Sequence, residues 1–393
     1  MALAPLSPPS APTGHDFAAQ VGSIYRVGAC GSDGALAARM PARAVAAHCR
    51  RMARRFERYR KRWLDRAMPY LAELRPAGLP ARVVYPFGGG DLVTALATFP
   101  DAEEITTISL EAAGDPRPID SMSKRELEAD LDKVGHVVER LLQAAHSTTK
   151  SLQAASHSKL PGTLLFALSG LAIHGFEPVS LRYFRITDDG SLHYLELAEL
   201  EEGVARFKEL ARAQSEKERV LRKKKLQVWR EQVAVFGNME VGFRKRGDTS
   251  APLRTYRHIV ANLDDPHLAD APGLIRHLEA KGKVAAMTKA ASYLLWMDEF
   301  STIRSYLLGH VEWMISDSSG IPPEYAGPAG FEQTAYGDYA GPYFYYTGRT
   351  VARIRKQFDK LWAKPARALP FRYGYPDSTR KGNHLMITRR VAP

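Results

Sequence analysis

The chain has 393 residues, 45% of them hydrophobic and 25% charged, and carries a formal net charge of +12. These values exclude a low-complexity disordered chain and fit a soluble globular protein with a large core, built as one big domain or two. No apolar run approaches the roughly 18 residues of a membrane span, and the positive balance favours anionic partners without naming one.

The first 14 residues are rich in Pro, Ala and Ser, and 1–34 are expected to be disordered or irregular. They lack the charged and apolar regions of a complete signal peptide. Ala2-Leu3-Ala4 resembles the tail of a cleavage site, but Pro5 disfavours cleavage. A trimmed export signal and a cytoplasmic start would both look like this. The two cysteines, Cys30 and Cys49, have no zinc-site spacing. Two free thiols are their default, and a disulfide is the alternative in an oxidising compartment.

Residues 35–78 form a basic segment, helical in pattern from Ala35 to Leu74 with an early break at Pro41. Eleven Lys and Arg fall between Arg39 and Arg66, against Glu57 and Asp65. Met52, Phe56, Tyr59, Trp63 and Leu71 recur at helical spacing, so one face packs. The basic face is either solvated or a contact surface for phosphate groups or a membrane.

Residues 79–393 read as one α/β domain organised around Arg82–Glu111. Val83 and Val84 begin a strand, Gly88-Gly89-Gly90-Asp91 turns the chain, Leu92–Phe99 is a short helix, and Ile105–Leu110 is a second strand. This is the opening of a nucleotide-binding βαβ unit. Helices are expected at 121–145, starting at the Ser123/Glu126 capping box, and at 161–173, 272–280, 299–313 and 351–362. The segment 147–159 reads as a polar linker. Strand pairs are expected at 177–186 with 191–197 and at 239–245 with 253–261. A charged helical insertion occupies about 202–232. Val284–Leu295 contains a buried strand, Met314–Ile321 reads as strand then turn, and Gly327–Gly348 as an irregular loop. Phe371–Tyr375 and His384–Thr388 are expected to close the fold as an antiparallel hairpin. The order resembles the Rossmann-like fold of S-adenosylmethionine-dependent methyltransferases: a twisted sheet with helices on both faces, here with an extra N-terminal basic helix.

Glycines at such a turn let a nucleotide approach the backbone, and an acid about 20 positions later accepts ribose hydroxyls. Gly88, Gly89, Gly90, Asp91 and Glu111 are therefore the cofactor-binding candidates, with S-adenosylmethionine the alternative to no cofactor. Tyr85 and Phe87 stand where the methyltransferase pattern has an acid and a glycine, and the Phe87 ring would fill space that a methionine or adenosine moiety needs. Asp317 and Ser319 lie in a turn after a strand, and with Lys289 they are the catalytic candidates; Gly89, Asp91, Glu111, Lys289, Ser292, Asp317 and Ser319 are expected to converge on the same sheet edge. Turn chemistry alone also accounts for Asp317-Ser318-Ser319-Gly320. Tyr325, Tyr336, Tyr339, Tyr343, Tyr345 and Tyr346 suit sugar or peptide recognition, or plain loop packing. The twelve histidines, His174 and His384 included, show no HExxH or close pair, so no metal is expected.

Tyr85-Pro86-Phe87 with Gly89 and Asp91, Lys289 with Ser292-Tyr293-Leu294-Leu295, Phe300 with Ile303-Arg304, Asp317-Ser318-Ser319-Gly320-Ile321-Pro322, Tyr336-Gly337 and Leu369-Pro370-Phe371 resemble a family of uncharacterised bacterial proteins. That resemblance implies grouping and a periplasmic or exported location, with a cytoplasmic one the alternative, and no activity. The expected function is small-ligand-binding or structural, on a degenerate Rossmann-like scaffold of the cell envelope. The alternative is a methyltransferase-like enzyme acting on an anionic substrate. A small polar or anionic ligand is the expected partner, and nucleic acid is disfavoured because no reading motif accompanies the basic runs.

Overall fold

The computed structural model describes residues 13–32, 40–143, 159–216, 234–289, 291–317, 320–339, 348–373 and 383–391. Within the stretch expected to be irregular, helix α1 (Ala18–Val27) forms and buries Val21 and Ile24. The Phe17 N–H anchors its start to the Leu181 carbonyl at 2.8 Å. The basic segment folds as α2 (Ala42–Tyr59), one π turn (Arg60–Leu64) and α3 (Asp65–Leu74), without an intervening loop. In the π turn the Asp65 N–H reaches back five residues to the Arg60 carbonyl. Cys30 and Cys49 are bonded, with Cα atoms 5.4 Å apart. This corrects the free-thiol expectation: the turn after α1 and the middle of α2 pack closely enough for a disulfide to span them.

Ten strands form one sheet: β1 (Arg82–Pro86), β2 (Glu104–Ser109), β3 (Phe176–Ile186), β4 (Leu192–Tyr194), β5 (Asn238–Lys245), β6 (Arg254–Val260), β7 (Val284–Thr288), β8 (Val311–Ser316), β9 (Phe331–Asp338) and β10 (Asn383–Arg390). Their order is β4-β3-β5-β6-β2-β1-β7-β8-β10-β9. The four pairings from β6 to β8 are parallel and contiguous, and the five outside them are antiparallel. The architecture is thus mixed α/β, with antiparallel strands on both flanks. The triple glycine lies between β1 and β2, joined through α4 (Leu92–Thr98) in a parallel crossover.

Strand alternation sends side chains to opposite faces. Tyr85, Ile105, Met287 and Ile315 pack with α1 to α4, α5 (Lys124–Gln143) and α6 (Gly162–His174). Val84, Ile108, Ala286 and Met314 pack on the other face with α8 (Asp265–Asp270), α9 (Gly273–Glu279) and α10 (Ser301–His310). Between these groups lies α7 (Leu197–Glu216) in sequence, and α11 (Arg349–Trp362) follows β9. The Ser123/Glu126 box caps α5: the Ser123 N–H donates to Glu126 Oε2 at 2.8 Å. Helix α6 buries residues all round, from Thr163 to Ile173, as its unbroken apolar run requires.

Three expectations are corrected. The helix expected through Trp313 ends at His310, because Val311 and Trp313 enter strand β8 beside β7. The Gly/Tyr-rich stretch taken as irregular contains β9. The expected closing hairpin does not form as drawn: β10 pairs along its length with β9, and on its other side with β8, not with 371–373. Phe371 instead packs on the α2–α3 helices. The linker at 147–158 and most of the charged insertion, from 217, lie outside the described residues.

Candidate functional site

At the C-terminal ends of β1, β7 and β8 the chain buries a polar cluster. Asp91 caps α4, accepting the Thr94 N–H at 3.2 Å. Its other oxygen accepts the Tyr85 hydroxyl at 3.2 Å and the Lys289 ammonium at 3.3 Å. Lys289 also donates to Thr94 Oγ1 at 3.1 Å and lies 5.9 Å from the Tyr373 ring centroid. Alongside, Ser292 donates to Asp317 at 2.8 Å. Asp91 and Lys289 are each 3% exposed and Asp317 1%. Burial, and then the Asp91 charge, hold the Tyr59 and Tyr85 hydroxyls well above their usual range; at Tyr373 burial is followed by Asp317 and Asp91. The Tyr373 hydroxyl is buried without a hydrogen-bond partner among the described residues. A lysine, two carboxylates and protonated phenols can hold and pass protons, but here they are sealed from solvent.

The structure therefore brings Asp91, Lys289, Ser292 and Asp317 to one sheet edge. Ser319 lies outside the described residues. Glu111, two residues past the end of β2, does not join them and offers its carbonyl, not its carboxylate, to His258 Nε2 at 2.7 Å. His258 and Tyr256, from β6, both contact Thr107 Oγ1, at 3.1 and 2.9 Å, and the Tyr256 hydroxyl reaches the Gly89 carbonyl at 3.5 Å. Burial keeps His258 below its usual pKa, hence neutral. These two side chains occupy the space between the glycine turn and Glu111.

The glycines serve close packing. A Cβ on Gly88 would lie 2.6 Å from the Tyr85 ring, and one on Gly90 would lie 2.9 Å from the Thr163 carbonyl oxygen. Phe87 has φ +63°, a left-handed conformation costing an L-residue roughly 1–2 kcal/mol. Its half-buried ring meets Phe300 edge-on at 6.0 Å, on the margin of the second-face core. The tyrosine group is dispersed into packing: Arg304 lies over Tyr325, Tyr336 meets Tyr70, and Tyr339 stacks on Trp362. Tyr343, Tyr345 and Tyr346 lie outside the described residues.

A cavity of about 620 Å³ opens between the basic helices and the 369–373 segment. Among the described residues, Arg55, Arg58, Arg62, Arg66 and Arg372 line it, against one carboxylate, Glu139; its apolar wall includes Tyr59, Trp63, Leu142 and Phe371. Tyr59 and Trp63 stack at 5.6 Å, and the Trp63 indole N–H fixes the Arg372 carbonyl at 2.6 Å. Glu139 holds Arg55 at 2.9 Å and Arg58 at 3.1 Å. Arg62 and Arg66 are exposed and have no ion-pair partner among the described residues. Tyr59 joins the cleft to the buried cluster, since it lines the one while its hydroxyl feels the Asp91 charge of the other. In the sequence Arg55, Arg58, Arg62 and Arg66 were among the eleven basic residues of a possible phosphate-contacting helix, and Tyr59 and Trp63 were assigned to its packing face; the spacing 55, 58, 62, 66 was the signal that could have singled out the four. Arg372 and Phe371 could not be placed because their contacts are some 300 residues away.

Among the described residues no three His, Cys, Asp or Glu side chains are grouped to hold a metal, and no helix is long and apolar enough to cross a membrane. Neither family models, curated proteins nor solved structures give a significant match to the chain.

Proposed function

We propose that the protein binds a small anionic ligand in the arginine-lined cleft, on a degenerate Rossmann-like scaffold exported to the bacterial envelope. One observation carries this: among the described residues, five arginines and one glutamate line the same cavity. Its volume is that of a small-molecule site. The Cys30–Cys49 bond supports export, because such bonds persist in oxidising compartments. Charge reversal by Arg62→Glu with Arg66→Glu, followed by titration with pyrophosphate and sulfate, tests the reading. Loss of a wild-type thermal shift in the variant is expected; wild type unmoved by millimolar anion would refute it.

The parallel crossover at the glycine turn favours a second reading, a methyltransferase-like enzyme using S-adenosylmethionine. Against it stand Tyr256 and His258, which fill the crevice where that ligand would lie. Stabilisation of the protein by S-adenosylhomocysteine would revive it.

A further inference from the structure

We infer that the cleft ligand is a phosphate monoester with an apolar body, an assignment that rests on the anion-binding reading above. Two guanidiniums without carboxylate partners among the described residues, Arg62 and Arg66, face one cavity. A carboxylate brings one charge and two oxygens, whereas a phosphate monoester brings up to two charges and three oxygens, so it can take a fork from each guanidinium and compensate both. The Glu139 carboxylate on the same wall is already engaged by Arg55 and Arg58, so it orders those two cations while leaving the Arg62/Arg66 pair the open charge. A dianion is matched to that pair; a monoanion leaves one guanidinium uncompensated.

The second half of the assignment comes from the wall below the arginines. Tyr59, Trp63, Leu142, Leu369, Pro370 and Phe371 line it. The Tyr59–Trp63 stack and the Phe371 ring set edge-on to Trp63 at 5.9 Å make a rigid surface. Bare phosphate would leave this surface wetted, while an apolar substituent on the ester displaces that water.

Isothermal titration of the full chain with phenyl phosphate, inorganic phosphate and benzoate tests the assignment. Phenyl phosphate is expected to bind at least about tenfold tighter than either alternative. Arg62→Ala with Arg66→Ala should lose about tenfold or more of that affinity, and Arg353→Ala, on α11 and outside the cleft, should lose none. Equal binding of inorganic phosphate overturns the apolar body, and equal binding of benzoate overturns the phosphate; both leave the anion-binding reading standing. Wild type that binds none of these, nor pyrophosphate, overturns both readings. Binding confined to vesicles of phosphatidylglycerol overturns the small-ligand assignment in favour of a membrane surface.

Discussion

The Lys289 ammonium lies 3.3 Å from the Asp91 carboxylate, and both side chains are sealed inside the protein. Removing one member of a buried pair leaves an uncompensated charge, at a cost of about 3–5 kcal/mol. Lys289→Met should therefore lower the urea midpoint far more than the double change Lys289→Met with Asp91→Asn. Equal losses would show that the pair is not coupled.

Acid should unfold the protein partly through Glu104. Burial alone would raise its pKa, but Lys281 and Arg257 outweigh burial and bring it from 4.5 to about 2. Burial holds Lys281 below its ordinary value while Arg257 rises, so the network's stability is counted once, at the carboxylate. A depressed folded pKa means the unfolded chain binds the proton first. The contribution is complete above pH 4.5 and is lost as pH falls toward 2, amounting to roughly 3 kcal/mol. Glu104→Gln should flatten the stability profile across that window, measured by urea unfolding.

His174 acts at a milder pH. Burial lowers it to about 4 from an ordinary 6.5, with Val93 accepting its Nε2–H at 2.8 Å. Stability should fall between pH 6.5 and 4 as the unfolded chain takes up that proton. His174→Asn should reduce the slope in this range and leave the Glu104 range unchanged.

Breaking the Cys30–Cys49 link releases a loop with a sequence separation of 19. Loss of that constraint is worth about 3 kcal/mol. Cys30→Ala with Cys49→Ala should lower the melting temperature accordingly, and the oxidised wild type should expose no thiol to a thiol reagent even when denatured.

Gly90→Ala should destabilise by about 1–3 kcal/mol through overpacking against the Thr163 carbonyl. Cleft affinity should not change, because Gly90 does not line the cavity. A Gly90→Ala protein as stable as wild type would mean that α4 and α6 are not packed as closely as described.

Elements with local signatures were readable from the sequence. The Ser123/Glu126 box, the Asp188–Gly190 turn and the β1–α4–β2 crossover need only neighbours within a few residues. Asp91 and Asp317 were found in turns that follow strands, and Lys289 and Ser292 through the motif they share with the resembling family. Val311–Trp313 was misread because apolar residues there satisfy a helical and a strand period alike. Strand β9 was hidden by the glycines and tyrosines of the stretch around it, and its partner β10 lies beyond a whole helix. The basic helix was legible as a possible phosphate-contact surface, but not as one wall of a cleft, because Leu369–Arg372 complete that cleft and nothing local ties them to Trp63.

The π turn at Arg60–Leu64 absorbs one residue that a regular helix could not place without rotating everything after it by about 100°. Arg66 and the whole of α3 keep their facing only because that slack is taken up in a single turn. The cleft-lining face of this helix is thus set by backbone winding as well as by residue choice, so a one-residue deletion here and a substitution of Arg66 are two routes to the same altered cleft.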